Sequence, residues 1–341
     1  MILYTLPVLS QAPLRLAGTC LMLGLPPLLL AAPRLRGEPI AIRTRPTALS
    51  PQSPGIGVVG DLEFRGGLVL RSKARGFGGF SGLQVSADGG QLTTITDKGE
   101  WLTARLVYDG RGRLQDLTGA EMGPLRDGDG RRLEGDDRDA EALAELPGGG
   151  LAVAFERRHR IWSYPHGLDA PADPLPGPDG LEDAHENGGV ESLVTLSDGR
   201  LLALTQRYGK HGLYHGWTWN RGKWTPLKYR ARDDSNPADA TLLPSGDVLV
   251  LELGRSDQGP VVRLQRLPKG EIGSREVLER ETLLELRPPL LVDNFEGVAS
   301  RAGAGGESLI YMISDDHFDK DRRTVLLMFA LSHLNDLRRK P

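Results

Sequence analysis

Residues Glu191 to Gln206 read ESLVTLSDGRLLALTQ: an alternating segment, an Asp-Gly turn and a second, more apolar segment. That order predicts two antiparallel strands joined by a tight, glycine-centred turn. The same pattern occurs in SGLQVSADGGQLTTITD (Ser81 to Asp97), EALAELPGGGLAVAFE (Glu141 to Glu156), DATLLPSGDVLVLE (Asp239 to Glu252) and EGVASRAGAGGESLIYMISD (Glu296 to Asp315). Further strand candidates lie between the copies, among them ARLVYD, RIWSYP, LYHGWTWN with KWTPLKYR, and VVRLQRL with ETLLELR. About four strands in each repeat of roughly 50 to 60 residues is the arrangement of a propeller blade, whose faces are buried against neighbouring blades. The expected fold is therefore all-β, a single β-propeller of five blades, or six if a degenerate copy lies within Leu102 to Arg138. DLEFRGGLVL (Asp61 to Leu70) carries no copy of the motif and is expected to complete the last blade, so that both chain ends close the ring.

Composition agrees with this reading. In 341 residues there are 44 Gly and 24 Pro but only 6% aromatics, which favours frequent turns over long helices. The net charge of −3 lacks the basic excess that a nucleic-acid binder needs, so no nucleic-acid partner is expected. The single cysteine, Cys20, excludes an internal disulfide and a thiolate metal site in the body of the chain. It lies in the apolar run Leu14 to Ala32, which has Arg15 near its start and ends on Ala31-Ala32. That layout predicts a cleaved export signal over residues 1–36, with Pro26 and Pro27 opposing a permanent spanning helix. A linker over 37–55 and a propeller over 56–341 come next, giving a periplasmic or secreted monomer with no stable membrane span.

Aligned copies place Ser81, Glu141, Glu191, Asp239 and Glu296 in one column, and Asp97, Glu156, Gln206, Glu252 and Asp315 in a second. In an antiparallel hairpin the start of one strand lies beside the end of its partner, so both columns are expected to ring one face. Crowded carboxylates raise one another's pKa unless a cation sits among them, and an all-oxygen donor set suits Ca²⁺ before Mg²⁺. The expected metal-binding groups are Asp97, Asp139, Asp239, Glu252, Glu296 and Asp315. Glu141, Glu191 and Glu156 are the catalytic candidates, and Lys98, Arg157, Arg207 and Asn187 are the expected contacts to an anionic small-molecule ester. Further basic residues, Arg158, Arg255 and His317, trail the second column in the same way. Other motifs are weaker. Ser81 sits in GGFSGL, which fails the nucleophile elbow because Leu83 replaces its second glycine. His185 reads as a solvated loop histidine, His211 and His215 lack a third zinc ligand, and Asp127 to Glu141 lacks the full spacing of a calcium loop.

FGGFSGL (Phe77 to Leu83), TDKG (Thr96 to Gly99), DAEAL (Asp139 to Leu143), AFE (Ala154 to Glu156) and NGGVESL (Asn187 to Leu193) together resemble the phytase-like domain family with esterase-like activity. The resemblance runs from about Gly60 to the C-terminus. It implies an exported bacterial protein, ester hydrolysis, and recurrent polar positions at Asp139, Glu141, Glu156, Asn187 and Glu191. Gln206 departs from the acidic residue expected in its place. Two classes of function are open: a hydrolase of phosphate or carboxylic esters, with a lactonase-like variant, and a non-catalytic envelope propeller that binds a protein, sugar or cation.

Overall fold

A computed structural model describes residues 37–332 except 211, 233 and 234, and leaves out the side chains of 207, 208 and 210. The export segment, Cys20 and the side chain of Arg207 lie outside the described residues. Among the described residues five sheets succeed one another, antiparallel except where Val277–Leu278 pairs in parallel with Lys223–Arg230 at the edge of the third. Their innermost strands are Phe80–Val85, Ala140–Glu145, Val190–Thr195, Asn236–Leu242 and Phe295–Ala302, one from each repeat copy. The protein is a five-bladed β-propeller. The segment considered for a sixth blade instead supplies the outer strands Glu100–Tyr108 and Leu114–Pro124 of blade 1.

Closure uses both chain ends. In blade 5, Leu62–Ser72 from the N-terminal side pairs with Thr324–Leu331, and Ile42–Pro46 adds a further strand outside it. Glu38–Pro39 pairs instead with the outer strand of blade 1. The stretch read as a linker thus contains two strands that bridge blades 5 and 1. Its prolines are tolerated because both strands lie at sheet edges. No helix among the described residues is long and apolar enough to cross a membrane.

Continuous apolar strands make the ring possible, because a sheet stacked on both faces needs hydrophobic residues at every position. In Val248–Ser256, Leu249 and Leu251 enter the cluster shared with blade 5, while Val248 and Val250 enter the one shared with blade 3. Thr324–Leu331 divides likewise, Leu327 and Phe329 toward blade 4 and Leu326 and Met328 toward blade 1. Five such clusters fill the five interfaces.

Each inner hairpin turns through a glycine with positive φ: Gly89, Gly149, Gly199, Gly246 and Gly306. Each donates its N–H three residues back, as from Gly199 to the Leu196 carbonyl at 2.9 Å. Each inner strand also carries a bulge one or two residues from its start, at Gly82, Glu141, Glu191, Ala238 and Glu296. At Gly82, φ is +62° and an added Cβ would lie 2.9 Å from the backbone nitrogen of Leu143 in blade 2. Gly82→Ala is expected to cost about 2 kcal/mol or more in urea unfolding, combining left-handed backbone strain with overpacking.

Candidate functional site

The bulges decide which side chains reach the axis. A bulged residue is left out of the ladder and its side chain is re-aimed, and at Glu141, Glu191 and Glu296 that residue is a carboxylate. All three lie at the end of the ring where the inner strands begin. The partner strands bring Glu156 and Asp315 to the same end, where the N–H of each bonds the carbonyl of Asp139 or Asn294 just before the inner strand, at 2.8 Å in both cases. Asp97 and Asp139 complete the group from the flanking loops.

Seven carboxylates, from blades 1, 2, 3 and 5, therefore face a common mouth. Burial, then the negative charge of Asp97, Glu156, Glu296 and Asp139, pushes Glu141 well above the ordinary carboxylate range. Glu191 is raised in the same way by burial and by Glu141 and Glu156, and it is hydrogen-bonded to Glu156. Burial with Asp315 and Asp97 raises Glu296, and burial chiefly raises Asp315. Asp97 is pushed up to about 8 by burial, then by Asp315 and Asp139. Glu156, 5% exposed, accepts the N–H of Gly189 at 2.8 Å through Oε1. Asp139, Glu141 and Glu156 each hold a carboxylate oxygen within 4.8 Å of the other two. In donor type and spacing this trio suits a hard cation.

Basic side chains stand at the rim of this mouth. Arg157 pairs with Asp139 at 2.5 Å while its side chain stays 41% exposed, and that hydrogen bond raises the guanidinium pKa further. Lys98 places its ammonium 3.2 Å from the centroid of the Phe318 ring. His317 Nδ1 lies 2.5 Å from Asp315 Oδ2. Of the four non-glycine residues with positive φ among the described residues, Arg157, His317 and Phe318 come directly or closely after acidic members of the cluster. Strain of this kind persists where surrounding contacts hold a loop in place.

Two expected metal ligands, Asp239 and Glu252, stand outside the group. Both belong to blade 4, where the bulge falls at Ala238, so each is displaced by one residue relative to the acids of the other blades. With a side-chain period of two, a one-residue shift reverses direction. Asp239 is fully buried and accepts N–H bonds from Val298 at 2.7 Å and Ala240 at 2.8 Å, with Leu83 a third donor. Burial pushes its carboxyl well above the usual range against the pull of those amides. Glu252 is equally buried and accepts from the Tyr229 hydroxyl at 2.7 Å, Gln265 Nε2 at 2.9 Å and the Arg232 N–H at 3.2 Å. Asp97, by contrast, lies just beyond its strand as Glu156 and Asp315 do, and its N–H likewise bonds the carbonyl just before the inner strand, that of Gly79 at 3.1 Å.

Asn187 is exposed in the loop before blade 3, with its N–H on His185 Nδ1 at 3.2 Å. Ser81 Oγ lies 3.5 Å from Asp97 Oδ1, next to the acidic group. One participant missed by the sequence reading is Asn294, whose amide donates to Glu296 Oε1 at 2.8 Å and lies 3.4 Å from Asp315 and 3.0 Å from His317 Nε2. Its signal was its place immediately before the inner strand, where Asp139 stands in blade 2.

Among solved structures, similar chains include a gluconolactonase candidate, 13% identical with a TM-score of 0.45, the match covering 85% of this chain and all of that one. Luciferin-regenerating enzyme is 12% identical with a TM-score of 0.40, over 75% and 93% of the two chains. Virginiamycin B lyase from Staphylococcus aureus is 10% identical with a TM-score of 0.41, over 86% and 100%. No curated protein matches the sequence. The phytase-like family, described as esterase-like activity of phytase, matches residues 75–318. Because this match takes in all seven residues of the acidic group and more than two thirds of the sequence, the chain belongs to the phytase-like family.

Proposed function

We propose that the chain is an exported hydrolase of phosphate or carboxylic esters, and that its axial carboxylates hold Ca²⁺. One observation carries this reading: seven acidic side chains converge on one mouth while their basic partners stay at its rim. The apolar run Leu14 to Ala32 supports export. Asp139, Glu141 and Glu156 would hold the ion, with Asp97, Glu296 and Asp315 beside them. Bound there, Ca²⁺ supplies charge that lets the carboxylates ionise together, and it polarises an ester oxygen. Glu141, ionised in that setting, accepts a proton from an attacking water whose oxygen bonds the phosphorus or carbonyl carbon. Glu191, which shares a hydrogen bond with Glu156, returns a proton to the leaving alkoxide as the ester bond breaks. Arg157 and Lys98 face the anionic part of the substrate from the rim.

Thermal unfolding with EDTA or CaCl₂ tests the ion, and turnover of p-nitrophenyl phosphate and p-nitrophenyl acetate tests the reaction. Because Asp97 is raised from 3.8 to about 8, the folded state favours its protonated form. Its contribution is fully present below about pH 4 and is lost as pH climbs through about 8. In EDTA the midpoint should therefore fall between pH 6 and 9. At pH 8, CaCl₂ at a hundred times its Kd should restore about 5 °C, corresponding to roughly 2.7 kcal/mol. A midpoint indifferent to both reagents, with neither ester turned over, removes the proposal.

A further inference from the structure

At the far end of the ring, where the inner strands finish, the five blades surround a pit of about 650 Å³. Its apolar wall comes from Val85 in blade 1, Leu146 and Pro147 in blade 2, Leu196 in blade 3 and Leu242 and Pro244 in blade 4. Leu146 and Leu242 are half-buried, so hydrocarbon is within reach of a visiting molecule. Polar side chains of the wall are turned onto the backbone of adjacent blades. Gln84 Nε2 donates to the Leu143 carbonyl at 2.9 Å, the Thr195 hydroxyl to the Glu145 carbonyl, and the Ser300 hydroxyl to the Leu242 carbonyl at 2.6 Å. A concave, mainly apolar site with few polar groups is the usual form of a small-molecule pocket.

Two charged residues line the pit, Glu145 and Arg301. They stand at the ends of the inner strands of blades 2 and 5, which are not neighbours in the ring. Arg301 is already engaged. Its Nε donates to the Tyr311 hydroxyl at 3.1 Å and a terminal nitrogen donates to the Ala302 carbonyl at 3.0 Å. Tyr311 in turn lies 2.8 Å from the Tyr108 hydroxyl, which donates to the Gly89 carbonyl at 2.9 Å, and the guanidinium charge acts on Asp88 in the same turn. Glu145 is exposed, and among the described residues its carboxylate has no hydrogen-bonding or ion-pairing partner. The charge left for a ligand to answer is therefore negative. We infer that the pit binds an apolar organic cation, with its ammonium paired to Glu145 and its hydrocarbon body laid on Leu146, Leu242 and their neighbours. The inner strand Val190–Thr195 separates the pit from the carboxylate mouth by about 15 Å, so its occupancy is independent of any hydrolysis there.

Calorimetric titration of the full chain with hexylammonium chloride tests this. The wild type should bind one hexylammonium, at least tenfold more tightly than butylammonium, because each buried methylene adds about three- to fourfold. Hexanoate should bind at least fivefold more weakly than hexylammonium. Glu145→Gln should lose about fivefold for hexylammonium and narrow its lead over hexanoate. Ala302→Trp and, separately, Ser197→Trp place a large side chain at exposed positions of the rim and should abolish binding with little change in the unfolding midpoint. Glu191→Gln, at the opposite mouth, should bind as the wild type does, whether or not the chain hydrolyses esters. Absence of hexylammonium binding, equal affinity for hexanoate, an effect within about twofold in Glu145→Gln, or binding that survives in both tryptophan variants overturns the inference.

Discussion

Replacing Glu141 with Gln is expected to slow hydrolysis of a p-nitrophenyl ester and of an alkyl ester alike, by about 100-fold or more in kcat. Replacing Glu191 with Gln should do so only for the alkyl ester. The difference comes from their assigned roles. Glu141 sits where four other carboxylates act on it and takes a proton from water, a need common to every ester. Glu191 gives its proton to the departing oxygen, and p-nitrophenolate leaves readily without one. Steady-state kinetics on both esters, with KM and kcat separated, checks this. If both variants stay within about threefold of the wild type on both substrates, neither residue acts in the reaction.

Asp239→Ala should be among the most destabilising single changes in the protein, at about 3–5 kcal/mol in urea unfolding. Its carboxylate ties three inner strands together at the axis: it belongs to blade 4 and accepts from Val298 in blade 5 and Leu83 in blade 1. Removing it strands these amides in a region with no exposure to solvent. Asp239→Asn keeps one acceptor oxygen and should cost less, about 1–3 kcal/mol. Activity of the folded fraction should survive in both, because Asp239 lies outside the acidic group. A loss under about 1 kcal/mol for Asp239→Ala would show that the axis is not held this way.

Blade number and order were legible because each repeat announces itself through a glycine that must take positive φ, as Gly199 and Gly246 do. The acidic mouth was legible where the bulge coincides with the acid, at Glu141, Glu191 and Glu296. It was misread at Asp239 and Glu252, since one extra residue in a strand turns every later side chain to the opposite face and leaves no mark on composition. The edge strands at Glu38–Pro39 and Ile42–Pro46 looked like linker because proline and arginine dominate them.

That closure has a temporal side. Leu62–Ser72 is synthesised about 250 residues before the strand it pairs with, Thr324–Leu331. Until then the first-made hydrophobic edge waits for a neighbour, and a pairing between such remote segments is slow to form. Once made, it gives no free end from which the circle can unravel. Opening the ring at its closure means pulling the strands of blade 5 apart, so the firmness of that seam bears directly on how long the circle stays shut.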